Sequence, residues 1–455
     1  MNPIVTLSTA LCICASLSLA GKPHHSPELS HLAKTAVDGD LANAAGAVKH
    51  LRDAGPEGLE TLIAAHKNLL QDKQNPAYPK LVEAIKEVGA QRSCYLSQLY
   101  WYTDLEKAKA AALKSKKPIL TLRMLGNLTD EYSCANSRFF RTTLYSNPKI
   151  AALLKENFVL HWKSVRPIPV ITIDFGDGRT LKRTVTGNSA HFVLDYRGRV
   201  VDALPGLYGP EAFARHINNM VSMANTLGPI VEQHKFAKGL QNLQQAMLMQ
   251  SNEDLAKDLK KIGYKPEAPK PAAPPQAAQA ANPPLKAVPA ERAAVRAVGK
   301  LMIEEPLISA FLPAPPVHNT AKGLQPHHWD AIAALYKKDA RLDPVARMIM
   351  VKENPPAASV AARVAAPKQA AEHPLIAMIE KMENSIALDT VRNEYLLRSQ
   401  IRSWFLANPT QDLAALNKRV YAELFLTPDS DPWLGLVPPD TYTGLEGGGL
   451  SVVAN

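Results

Sequence analysis

The sequence predicts an α/β protein in which a helical N-terminal unit and a mostly α-helical C-terminal domain flank a central α/β domain. Three observations lead to this fold class. A chain of 455 residues is too long for one ordinary hydrophobic core, which favours two or three folded units. Residues 100–227 alternate helical and strand patterns. Prolines are concentrated in the stretches 264–289 and 355–371, a composition typical of linkers.

Residues 1–20 have the pattern of a signal peptide. They carry no charged side chain, contain an apolar run at 11–15, and place Ser18 and Ala20 where a signal peptidase reads small residues. Because Lys and Arg are missing from this segment, an uncleaved membrane anchor remains the alternative. We expect an exported protein, periplasmic or secreted.

Residues 21–92 predict a small bundle of helices. Asp40 suits the N-cap of a helix that ends before Gly55, and Pro56 suits the first position of the next helix. A third helix is expected from about Tyr78 to Gly89, where glycine provides a stop.

Residues 93–230 predict the central α/β domain. A helix capped by Asp104 leads into a strand, and two further helices, from Cys134 and from Pro148, precede a second strand. Two hairpins and a long helix from Pro210 complete the order. The predicted strands are 119–125, 158–165, 171–175, 180–185, 191–194 and 200–204. A parallel βαβ unit is therefore expected at its centre.

Residues 231–295 predict a helix followed by a Pro/Ala-rich linker that cannot bury a core. Residues 296–455 predict a mostly helical domain with an irregular, glycine-rich tail.

The formal net charge of +10 favours weak contact with anionic envelope surfaces. No stripe of Arg and Lys interleaved with aromatic residues occurs, so the sequence disfavours nucleic acid as a partner.

Three stretches carry a resemblance to a known superfamily. They are Lys117-Pro118-Ile119-Leu120, the segment 133–140 that reads SCANSRFF, and the segment 147–159 that reads NPKIAALLKENFV. With the late strand pair around Arg197-Gly198, they make residues 104–219 similar to the exported branch of the thioredoxin-like superfamily. The resemblance implies a thioredoxin-like fold with a redox loop before the first core helix.

In that superfamily a Cys-x-x-Cys pair begins this helix, and the resemblance places Cys134 at the attacking position and Ser137 at the resolving one. Amide groups at a helix N-terminus stabilise a thiolate. Because Ser137 cannot release a mixed disulfide, a monothiol Cys-x-x-Ser site is implied. Disulfide isomerisation, glutathione-type exchange or trapping of client proteins is the chemistry open to such a site.

Two further positions belong to this candidate site. The resemblance aligns Ala190 with the cis-proline that usually faces the reactive cysteine, which implies an altered loop. His191 is expected near Cys134, where a Cys–His pair would be a nucleophile; a packed strand histidine is the alternative. Cys94 either pairs with Cys134 or resolves in place of Ser137, and the spacing leaves both open.

The sequence predicts neither a metal nor a cofactor. The histidine clusters, His24-His25 and His327-His328, lack partner ligands at tetrahedral spacing.

Two functions remain open. One is an exported thiol-dependent protein that exchanges or isomerises disulfides of other envelope proteins through Cys134. The other is a redox-inactive interaction or scaffold module that docks such proteins. Other exported proteins, as thiol or disulfide clients or as docking partners, are the expected partners in either case.

Overall fold

The computed structural model describes residues 26–184, 187–265, 323–353 and 368–434, together with Ala321 and Leu445. The predicted signal peptide and His24-His25 lie outside these residues, as do the predicted linker from residue 266 onward and most of the tail.

The N-terminal unit is a helical bundle with a core of its own. Its six helices are α1 (Pro27–Asp38), α2 (Leu41–Asp53), α3 (Pro56–Ala65), α4 (Lys67–Gln71), α5 (Tyr78–Gly89) and α6 (Cys94–Ser97). Asp40 caps α2 by accepting from the Asn43 N–H at 2.9 Å, and Pro56 opens α3, as their residue types predict. Aliphatic side chains, including Leu51, Leu62 and Ile85, form the buried centre of the bundle.

Close helix packing in this bundle depends on Gly58. A Cβ at this position would overlap the backbone carbonyl of Leu51, so α2 and α3 approach closely only with glycine here. A Cβ at Gly46, inside α2, would meet nothing within 4 Å.

We therefore expect Gly58→Ala and Gly46→Ala to have opposite effects on the free energy of unfolding. Overpacking in Gly58→Ala should cost about 1–3 kcal/mol. Gly46→Ala should gain about 0.5–1 kcal/mol, because alanine has less backbone freedom to lose in a helix. Urea titration followed by circular dichroism measures both. Equal effects of the two variants would contradict the close approach of α2 and α3.

The centre of the molecule is a five-stranded mixed sheet. Its strands are β1 (Trp101–Tyr102), β2 (Ile119–Leu125), β3 (Val159–Arg166), β6 (Ser189–Leu194) and β7 (Val200–Pro205), in the order β1-β3-β2-β6-β7. The first three run parallel to one another, whereas β6 is antiparallel to β2 and β7 is antiparallel to β6. Every residue of β2, β6 and β7 is buried, as expected for strands covered on both faces.

Five helices lie around the sheet, and two of them begin at capping residues that the sequence predicts. They are α7 (Leu105–Ser115), α8 (Ala135–Phe139), α9 (Pro148–Asn157), α10 (Pro210–Leu227) and α11 (Gln233–Lys261). Asp104 caps α7, and Asn147 caps α9 with Pro148 in the first turn. The helix predicted from Cys134 continues from α8 as a π-helical turn, Phe140–Leu144. Turns of this kind are frequent at functional sites.

A separate two-stranded sheet is formed by the part of the chain that connects β3 to β6. It consists of β4 (Val170–Asp174) and β5 (Thr180–Thr184), which pair as the predicted hairpin around Gly176 and Gly178. Its large apolar side chains remain in solvent, and Phe175 is 54% exposed.

The C-terminal helices pack on the core of the central sheet. They are α12 (Pro326–Leu335), α13 (Pro344–Glu353), α14 (Lys368–Arg392), α15 (Ser399–Ala407) and α16 (Leu413–Arg419). Two π-helical turns, Asn393–Arg398 and Val420–Leu424, extend α14 and α16. One continuous buried cluster reaches from Leu99 in the central unit to Phe425. The prediction of a mixed α/β protein is confirmed.

Candidate thiol site

Cys134 lies at the N-cap of α8, the position that the sequence predicts for it. Its Sγ accepts a hydrogen bond from the Ser137 N–H at 3.4 Å. The Ser137 hydroxyl donates back to the Cys134 carbonyl at 2.8 Å, so Ser137 closes the first turn of the helix. Both side chains are fully buried, and Cys134 has 0% exposure.

The loop before β6 faces the sulfur. The Cys134 thiol donates to the Asn188 carbonyl at 3.8 Å. A Cβ on Gly187 would stand 2.9 Å from the Ala135 Cβ, so this loop approaches α8 as closely as glycine allows. Ala190, which the resemblance aligns with the facing cis-proline, instead lies inside β6, where it pairs with Arg123. Asn188 faces the thiol in its place, and the described residues contain no cis peptide bond.

A C-terminal segment covers this loop. The Tyr421 hydroxyl donates to the same Asn188 carbonyl at 3.1 Å. The Asn188 side-chain amide donates to the Thr427 hydroxyl at 3.4 Å, and Arg166 donates to the Thr427 carbonyl at 2.6 Å. Residues 420–428, here called the cover, are therefore hydrogen-bonded to the loop that faces Cys134. Sequence reasoning missed it, because Tyr421 and Thr427 are ordinary residues about 290 positions beyond Cys134.

His191 is held by other aromatic residues. Its Nε2 and the Tyr145 hydroxyl are 2.6 Å apart, and the rings of Phe140 and Phe213 lie 4.7 and 5.2 Å from the imidazole. Burial lowers the pKa of His191 to about 3, so the ring is neutral at pH 7. Within the described residues no hydrogen bond joins His191 to Cys134. The structure thus places both residues in the same core without forming a Cys–His pair.

Cys94 belongs to a different core. It is buried in the helical N-terminal bundle, where its thiol donates to the Leu99 carbonyl at 3.4 Å. Burial raises the pKa of Cys94 to about 12. Cys94 and Cys134 are both free thiols in this structure. Neither the Cys94–Cys134 disulfide nor a resolving contact is therefore formed.

A positive charge lies close to the candidate thiol. The Arg138 guanidinium donates to the Ser133 carbonyl at 3.0 Å and to the Thr184 hydroxyl at 2.8 Å. Burial lowers the pKa of Arg138, and attraction to Cys134 opposes this shift. Arg138 therefore places a guanidinium on the first turn of α8, in the neighbourhood of the candidate thiol.

Comparisons of this chain with protein-family models, with curated proteins and with solved structures found no match. The described part of the chain contains no group of three His, Cys, Asp or Glu side chains that could hold a metal ion. In that same part, no helix is both long and apolar enough to cross a bilayer.

The arrangement has a clear chemical limit. A nucleophilic thiol needs a base to accept its proton and a path by which a disulfide can reach it. In the described residues the Cys134 thiol contacts a carbonyl oxygen and a backbone amide, and its side chain is fully buried. In this closed state Cys134 acts as a helix cap.

Proposed function

We propose that this protein is a redox-inactive, exported scaffold whose central unit is a thioredoxin-like domain. The fold proposal is supported by the parallel βαβ arrangement of β2, α9 and β3, followed by the antiparallel pair β6 and β7. This is the order that the resemblance implies. Cys134 lies at the N-cap of α8, and a helix start is where the resemblance implies the attacking cysteine.

One observation carries the proposal that the site is inactive. Cys134 is fully buried beneath the cover, and its thiol proton is donated to the Asn188 carbonyl. Ser137 provides no second thiol, and His191 is engaged by Tyr145. The contribution of the domain in this proposal is its shape, which places the helical N-terminal bundle and the C-terminal helices around one sheet.

The projecting hairpin supports a role in docking other exported proteins. Val170, Ile171, Ile173 and Phe175 expose apolar side chains on it, and Lys182 and Arg183 lie on the paired strand. Grouped apolar side chains surrounded by charge are typical of protein interaction sites.

Thiol alkylation tests the scaffold proposal. We expect Cys134 and Cys94 to remain unlabelled by iodoacetamide at pH 8 in the native chain and to label fully in urea, as read by mass spectrometry of their separate peptides. A Leu41→Cys variant provides the control, because Leu41 is 90% exposed and its replacement should label at the rate of a free thiol. Labelling of native Cys134 at the rate of the control would reject the proposal.

Monothiol exchange is a second candidate, favoured by Arg138 and by the helix N-terminus beside Cys134. It requires displacement of the cover. If exchange is the function, incubation with oxidised glutathione should give a mixed disulfide on Cys134 that is absent in Cys134→Ser and unaffected by Cys94→Ser. Absence of this adduct in the native chain leaves the scaffold as the function.

A further inference from the structure

A cleft of about 450 Å³ lies on the side of the central sheet where the loop before α16 crosses it. Four of its five charged side chains are cationic, and these four come from different parts of the chain. The charged and amide side chains that line it include those of Lys109, Arg123, Lys163, Arg199, Gln411 and Asp412. The cleft is separate from Cys134, so a ligand bound in it is independent of the proposed function.

Arg123 is the unusual member of this lining. The residue is only 8% exposed, yet no hydrogen bond or ion pair joins its side chain to another described residue, and its Nε is buried without an acceptor. Burial lowers the pKa of Arg123, while attraction to Tyr421 and Asp412 opposes the shift. A buried guanidinium is costly unless it is paired and hydrogen-bonded. Arg123 is also one of the residues that line the cleft.

Lys163 adds a second unpaired charge. It is the direct neighbour of Arg123 in the register of β2 and β3, and like charges at such positions repel each other. Lys163 makes no ion pair with the described residues. A pair of adjacent cations on one sheet is stabilised when an anion lies between them.

The other lining groups determine what kind of anion fits. Lys109 already pairs with Glu106 at 2.8 Å, and Arg199 pairs with Asp195 at 2.6 Å. Gln411 presents a buried side-chain Nε2 that has no acceptor. Among the described residues that line the cleft, the donors without a partner include those of Arg123, Lys163 and Gln411, and Asp412 supplies the single carboxylate.

We propose that this cleft binds a phosphate group, with the Arg123 fork, the Lys163 ammonium and the Gln411 amide as its donors. A planar guanidinium can take two oxygens of a phosphate side by side, and the ammonium and amide supply donors to the others. The two unpaired cations exceed the single carboxylate of Asp412 by one positive charge, so the cleft attracts an anion. A free phosphate ester or the headgroup of a phosphate-bearing lipid could supply this group.

Calorimetry and thermal unfolding of the full chain test the proposal. Inorganic phosphate and glycerol phosphate are the soluble probes, and vesicles of phosphatidylcholine with or without phosphatidic acid are the membrane probe. We expect at least one probe to bind and to raise the unfolding temperature, and Arg123→Gln and Lys163→Gln each to weaken that binding at least tenfold. Lys182→Gln, which removes the same charge from the hairpin, is the matched control and should bind as the wild type does.

The two probe classes identify the source of the phosphate. If vesicles bind in a manner that depends on Arg123 and the soluble probes do not bind, the ligand is a lipid headgroup. If the soluble probes bind, a free phosphate ester is sufficient. Without a probe, Arg123→Gln should fold with unchanged or higher stability, since it removes an unpaired buried charge. The proposal is overturned if no probe binds, or if Arg123→Gln and Lys182→Gln weaken binding equally.

Discussion

Lowering the pH from 6.5 to 4 is expected to unfold this protein. His161 and His191 are buried and the His216 side chain is only 13% exposed, and burial lowers the pKa of each to about 3 in the folded state. For His161 the neighbouring cations Arg123 and Lys163 add to the effect of burial. In the unfolded chain each ring returns to an ordinary pKa near 6.5.

Between these two pKa values the unfolded state binds more protons than the folded state, so stability rises with pH and is lost as the pH falls below 6.5. Each histidine contributes about 1.4 kcal/mol per pH unit, or about 4 kcal/mol per unit for the three together. Burial alone would raise the pKa of Glu394, but the guanidinium groups of Arg398 and Arg402 hold it well below its ordinary value. Glu394 therefore adds a loss of stability below pH 4.5. A total stability of roughly 5–15 kcal/mol does not survive losses of this size.

The measurement is the free energy of unfolding in urea at half-unit steps from pH 7.5 to 5, with circular dichroism followed to pH 3.5. A His191→Gln variant should lower the slope against pH by about a third, since its amide does not titrate. His234→Gln is the control, because that side chain is exposed in the folded state and meets the same solvent in both states. A flat profile between pH 6.5 and 4.5 would show that the three rings are not buried as neutral groups.

Replacing Arg398 by alanine is expected to cost about 3–5 kcal/mol of unfolding free energy. Arg398 and Asp202 are both 0% exposed and are joined at 2.5 Å. Arg398 also donates to Glu394 at 3.0 Å and lies 2.7 Å from the His216 Nδ1. Its loss would leave the Asp202 carboxylate buried without its cation, which is the costly case for a buried ion pair.

A double variant separates the charge effect from the loss of packing. Arg398→Met with Asp202→Leu removes both charges and keeps apolar volume, so it should recover much of the stability that Arg398→Ala loses. Lys257→Ala is the surface control: its ion pair with Asp254 at 3.0 Å is largely exposed, so its loss should change the free energy of unfolding much less than the loss of Arg398 does. Urea denaturation gives all three values. Equal losses for Lys257→Ala and Arg398→Ala would contradict the buried network.

The predictable parts of this fold are those with local chemical causes. Asp40, Asp104 and Asn147 indicate helix starts because a capping side chain reaches amides only two or three residues away. The Gly-Asp-Gly turn likewise indicates the β4–β5 hairpin. The position of Cys134 at a helix N-terminus follows from the same local signals.

The parts that sequence reasoning missed depend on residues far apart in the chain. Nothing local to Tyr421 indicates that it covers Asn188, and nothing near Arg398 indicates a partner at Asp202. β1 has only two residues, too few to show the alternation typical of a strand. The lack of a partner for the Arg123 guanidinium could not be predicted either, because the loop before α16, which lines the same cleft, is far away in the sequence.

The joining of the central sheet to the C-terminal helices has a consequence for synthesis. During synthesis Asp202 leaves the ribosome almost 200 residues before its partner Arg398. Asn188 and its partner Tyr421 are even further apart, at 233 residues. Until the last helices emerge, the nascent sheet lacks its counter-charge and part of its apolar covering, and loop closure over this distance is slow. We therefore expect the growing chain to depend on chaperones that hold it until the distant segments arrive, and to misassemble when they are withheld.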